Sequence, residues 1–160
     1  MLKINELKEA LKQINIGSAF SQFMPRAYYN MDDDSIIVCD LEIMTEFNNK
    51  YFDGTLDENY INSSIKTKAL SELYPNYFFI DCYISKGDMN LWFLSKIEDK
   101  NIHDELYDLY FHKENLSGFK KCLLKNNLFD FYLEFQDNYY EKEALRWCNE
   151  NAIPYEVESC

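Results

Sequence analysis

Glycine and proline are scarce, four and three in 160 residues, too few for long flexible linkers or extended Pro-rich segments. No two of the five cysteines, Cys39, Cys82, Cys122, Cys148 and Cys160, form a C-x-x-C, and their number is odd. That usage fits reduced, mostly buried thiols and a cytoplasmic setting. No apolar run approaches the roughly 18 residues of a membrane span. The opening MLKINELKEAL carries charges inside an amphipathic pattern, so it does not read as a signal peptide. No Gly-x-Ser-x-Gly and no glycine-rich phosphate loop occurs, and Ser117-Gly118 alone is no substitute. Basic residues are outnumbered 16 to 28, for a net charge of −12. Such a field repels phosphate backbones and disfavours direct nucleic-acid binding. Lys120-Lys121, the one adjacent basic pair, reads as a solvated helix face.

What is present is apolar and aromatic surface, at 47% and 17% of the residues. That composition excludes a disordered chain and predicts a packed globule. At this length the expectation is a single domain, residues 1–160, able to hold a core without metal, disulfide or cofactor.

Periodicity sets the elements. Ile4, Leu7, Leu11 and Ile14 recur at helical spacing, and Gly17 offers an end. Ala27-Tyr28-Tyr29 and Ile36-Ile37-Val38-Cys39 flank an Asn/Asp cluster and predict a hairpin. Residues 42–56 have no clear pattern beyond a turn at Asp53-Gly54. Ile61, Ile65, Ala69 and Leu73 predict a helix over 57–73, stopped by Pro75. Tyr77 to Ile84 is almost continuously apolar and predicts a central strand, with Asp81 the exception. Asp88 and Asn101 are candidate caps for two helices, the first with Met89, Trp92, Phe93 and Ile97 on one side. Leu116, Phe119 and Leu123 line a third, and Asn127 opens a longer one that Gln136-Asp137-Asn138 interrupts. The sum is α+β: a small antiparallel sheet, hairpin plus central strand, packed with several helices and followed by a helical C-terminal half.

Several of these residues also form a pattern along the chain: Leu7-Lys8-Glu9-Ala10-Leu11, the hairpin within 27–40, Met89-Asn90-Leu91-Trp92, Phe119-Lys120 with Leu123, Phe131-Tyr132, Ala144-x-x-Trp147 and Ile153. The pattern resembles a bacterial family of small acidic α+β proteins with no assigned activity. That family tends to have Gly before the final Ile, where this chain has Ala152. The matched positions are mainly apolar or aromatic, so the resemblance implies a packing scheme and no catalytic residue.

Candidate sites are few. His103-Asp104-Glu105 is the most enzyme-like trio, but neighbours on a helix are expected not to face one another, and the two acids suit a helix start. His112, nine residues on, is no chelating partner. Asp32-Asp33-Asp34 lacks the alternation, Gly and distal Glu of a Ca²⁺ loop; it reads as a solvated turn or as recognition of a basic partner. Arg146 with Trp147, and Tyr139-Tyr140, are residue types enriched in binding hot spots, although a core Trp is the commoner case. The expectation is therefore a non-catalytic protein-interaction module with no catalytic, cofactor or metal residues and no membrane, whose protein partner the sequence leaves open, a basic one included. The alternative is an acidic neutraliser: an antitoxin, immunity protein or nucleic-acid mimic that occupies a basic surface.

Overall fold

Leu2–Lys3 forms a short strand, β1, and leads into helix α1 (Ile4–Ile14), whose stripe of Ile4, Leu7, Ala10, Leu11 and Ile14 is buried. The computed structural model of the protein describes residues 1–15, 26–39, 41–64, 67–68 and 77–158. They belong to two compact units, Met1–Tyr83 with Glu143–Cys160, and Ile84–Lys142. Among the described residues there are seven α-helices, one π-helical turn, a three-stranded antiparallel sheet and a two-stranded parallel pair. The fold is α+β with a helical C-terminal half. No described helix is long and apolar enough to cross a membrane.

The first unit is built on the sheet. β2 (Arg26–Asn30) and β3 (Ser35–Cys39) form the hairpin, and β4 (Tyr77–Phe79) joins β2 on its other side, giving the order β3-β2-β4. Register puts Tyr29 beside Ile36 and Phe78, and Tyr28 beside Ile37 and Phe79; since side chains alternate along a strand, these sets occupy opposite faces. The second set packs with Phe47 and Ile43 of α2 (Leu41–Asp53) and Tyr60 of α3 (Glu58–Ile61). Helix α1 lies against β2 and β3. The β1 strand pairs in parallel with β5 (Tyr155–Glu156), tying the two ends of the described chain together.

The second unit is helical: α4 (Lys86–Leu94), α5 (Lys100–Tyr107) continuing through the π-turn Asp108–His112, α6 (Leu116–Lys125), and the N-terminal part of α7 (Phe129–Glu150). Its core is Phe93, Leu94, Leu106, Phe119, Cys122 and Leu123. Phe93 meets the rings of Phe131, Tyr132 and Phe135 at 5.6, 4.8 and 5.5 Å. The buried Asn90 is satisfied there, its Oδ1 accepting from the Tyr132 hydroxyl at 2.8 Å.

The structure corrects several boundaries. The apolar run from Tyr77 is strand only to Phe79 and lies at the sheet edge; β2 is central. Ser85, not Asp88, caps α4, and Asp99, not Asn101, caps α5, accepting from the N–H groups of Asn101 and Ile102. In these cases a hydroxyl or carboxylate stood three and two residues earlier, where the chain leaves extended geometry. Gln136-Asp137-Asn138 does not break α7, which runs through all three; polar residues without Gly or Pro leave the helical ladder intact. Residues 42–56 are largely helix α2, closed by Gly54 at φ +70°. The helix expected over 57–73 is seen as α3 and at residues 67–68; Ile65, Ala69, Leu73 and Pro75 lie outside the described residues, as do Gly17, Asp40 and Cys160.

Candidate functional site

In the first unit, the polar side of α1 and strand β3 enclose a groove of about 630 Å³. Glu6, Glu9 and Gln13 follow one another at helical spacing, beside the buried stripe, and so share a face of α1. Ala10, Ile36 and Val38 give the groove an apolar lining. Glu158 adds a third carboxylate, held by Asn5, whose Nδ2 donates to Glu158 Oε2 at 3.1 Å. Lys12 pairs with Glu9 at 3.1 Å. Three carboxylates beside an apolar surface suit a ligand that is cationic at its tips and aliphatic along its stems.

The acidic turn belongs to the same unit, and its three residues have different roles. Asp32 is exposed, and its backbone N–H donates to Asn30 Oδ1 at 2.9 Å. Asp33 closes the hairpin, accepting from the Ser35 N–H at 3.0 Å and its hydroxyl at 2.6 Å. These bonds hold its carboxyl below the usual carboxylate range. Asp34 adopts left-handed backbone (φ 60°) and accepts from the Tyr29 hydroxyl and from the Met1 amine, the latter at 3.1 Å. The Tyr29 bond first, then the amine, depresses its pKa. The turn is thus partly an anchor for the N-terminus.

Neither a protein-family model, nor a curated protein, nor a solved structure matches the chain. The likeness in packing pattern therefore assigns no family, and the site rests on this chain's own residues.

The other candidates fall elsewhere. Trp147 is buried, at 3% exposure. Its ring meets Phe78 edge-on at 5.8 Å and its Nε1 donates to Asp81 Oδ1 at 3.3 Å, which accounts for the one acid in the apolar run. A ring so placed is core and not a surface anchor. Tyr140 is also buried, and Tyr139 half-buried with its ring 6.3 Å from that of Phe135. Arg146 is exposed but engaged along its own helix, Nε with Glu143 at 3.0 Å and Nη1 with Glu150 at 2.9 Å. The hydrogen bonds to Glu143 and Glu150 raise its pKa.

His103 and Asp104 do meet: Nδ1 lies 3.1 Å from Asp104 Oδ1. Successive positions stand about 100° apart around a helix, and at an exposed surface two side chains swing across that gap. His112 contacts Asp108 at 3.0 Å, and Lys113 contacts the same carboxylate at 3.2 Å; the His112 bond first, then Lys113, lowers the Asp108 pKa. Both imidazoles lean on the Tyr107 ring, at 6.3 and 5.4 Å. These are helix-surface pairs around a ring. Among the described residues no group of three or more His, Cys, Asp or Glu is placed to hold a metal.

Sequence reading missed the groove. Glu6 and Glu9 are visible as a polar face of α1, but that β3 lies beside it is a tertiary fact. Glu158 reaches the groove through the β1–β5 pairing, two residues on each strand, too short to leave a periodic signal.

Proposed function

We propose that the chain acts as a single domain and a non-catalytic protein-interaction module, holding a basic protein partner along the groove between α1 and β3. One observation carries this reading: the carboxylates of Glu6, Glu9 and Glu158 border the apolar surface of Ala10, Ile36 and Val38, on a chain of net charge −12. Complementary charge steers encounter and excludes wrong partners, while apolar contact supplies affinity. Direct nucleic-acid binding is not part of this proposal, because the same field opposes it. A cytoplasmic location is part of it, supported by the free, buried thiols of Cys82, Cys122 and Cys148.

The test is affinity capture from one lysate on the wild type and on Glu6→Gln/Glu9→Gln/Glu158→Gln. Proteins of high isoelectric point, held at low salt by the wild type and lost by the variant, are the expected outcome. An identical set retained by both would contradict the reading.

The neutraliser reading is favoured by the size of the charge imbalance, which is larger than three groove carboxylates require. It differs in consequence. A neutraliser abolishes the captured partner's activity or its hold on nucleic acid when mixed one to one, whereas an adaptor leaves both intact.

A further inference from the structure

The geometry points to strand addition as the way this groove is filled: the occupant is an extended segment with Lys or Arg at alternate positions, laid along the outer edge of β3. The inference rests on the acidic-groove reading and adds the partner's conformation and sequence pattern to it. Three observations carry it. First, β3 is an edge strand of five residues, paired with β2 on one side and with no described residue on the other. Its outer N–H and C=O groups are a template for another strand. An added strand of that length spans about 17 Å.

Second, the groove lies beside that edge. Ile36 and Val38, two apart on β3, point to the same face and line it together with Ala10. Ser35 is exposed and Ile36, Ile37 and Val38 are half-buried, so the strand is not sealed.

Third, the spacings agree. Alternate residues of a strand are about 6.8 Å apart, and side chains one helical turn apart, such as Glu6 and Glu9, are separated by roughly 5–6 Å at Cβ. Two basic residues at i and i+2 thus meet two carboxylates of α1, with Glu158 available to a third. Their aliphatic stems cover the half-buried Ile36 and Val38 while the charged heads reach the rim. The intervening residues face the side of Ile37 and are apolar. Lys12, paired with Glu9, is displaced by an arriving cation at little cost, because exposed pairs contribute little. A second copy of this chain is a poor occupant, since each copy carries −12.

The test uses a blocked seven-residue peptide of alternating Arg and Val as probe, titrated calorimetrically against the full-length protein at low salt. Two derivatives carry backbone N-methyl groups, one at the Arg positions and one at the Val positions. Each derivative blocks the main-chain donors on one edge of the peptide and leaves charge and side chains unchanged. Strand addition predicts that one derivative binds about tenfold more weakly and the other like the parent. It also predicts slowed hydrogen exchange at the amides of residues 35–38 in the complex. Equal binding of all three peptides, with no added protection at residues 35–38, overturns strand addition and leaves the acidic groove standing. A parent peptide that binds no better than its Glu-for-Arg counterpart, or equally well to Glu6→Gln/Glu9→Gln/Glu158→Gln, overturns the groove reading and this inference with it.

Discussion

Trp147 shows how one side chain settles a role that its type leaves open. Tryptophan occurs in hot spots as well as in cores, and this ring is enclosed, faces Phe78 and gives its N–H to Asp81. Trp147→Ala is expected to destabilise the protein by about 3–5 kcal/mol through lost burial and a cavity. Urea unfolding followed by circular dichroism measures this; unchanged stability would place the ring outside the core. Titration is also set by single residues. Burial pushes the thiols of Cys82 and Cys148 up to about 11 from an ordinary 9.0. A thiol whose pKa is raised by folding contributes stability that is fully present below 9.0 and lost as pH rises through about 11. Asp33, Asp34 and Asp108 behave oppositely. Their pKa values are depressed from 3.8, so their contributions are present above 3.8 and lost as pH falls below it. The urea midpoint is therefore expected to be flat between about pH 5 and 8 and to decline on both sides. A midpoint still rising at pH 10 would contradict the buried thiols.

At the level of elements, two helix ends make the same turn with different residues. After α6, Asn127 is left-handed (φ 56°), with Leu128 N–H bonded to Leu123 O; after α7, Ala152 is left-handed (φ 55°), with Ile153 N–H bonded to Cys148 O. Asn tolerates that conformation, whereas Ala places its Cβ against the following carbonyl. Ala152→Gly is expected to stabilise the protein by about 1 kcal/mol. Thermal unfolding checks it, and a lower melting temperature would show that the turn is not strained. Elements with internal periodicity were legible: the stripe of α1, the hairpin around Asn30–Asp34, and Leu116 to Leu123. Helix α2 was not, because its apolar residues Ile43 and Phe47 answer to a sheet face that local sequence does not reveal. The β1–β5 pair and the placement of β4 at an edge were hidden for the same reason: pairing is chosen between distant segments. The π-turn at Asp108–His112 left no signal either. The candidate site was legible only as charge. The Asp32–Asp34 turn was found, but its ties to Tyr29, Ser35 and the N-terminus divert two of its three carboxylates from partner binding.

For the whole molecule the governing quantity is the charge of −12. Exposed charge acts over about 8 Å at physiological ionic strength, so its mark is on the rate of encounter more than on the lifetime of a complex. The groove and the turn predict different weights. Neutralising Glu6, Glu9 and Glu158 removes contacts as well as field, while Asp32→Asn removes field alone and leaves the Asp33 and Asp34 bonds in place. The most direct measurement is the association rate of the captured basic partner as a function of salt, for the wild type, Asp32→Asn and Glu6→Gln/Glu9→Gln/Glu158→Gln. The account predicts a rate that falls steeply with salt, a modest reduction in Asp32→Asn, and a larger one in the groove variant with faster dissociation as well. Association indifferent to salt and to all four substitutions would contradict it, and would leave the acidity as a means of keeping the protein in solution.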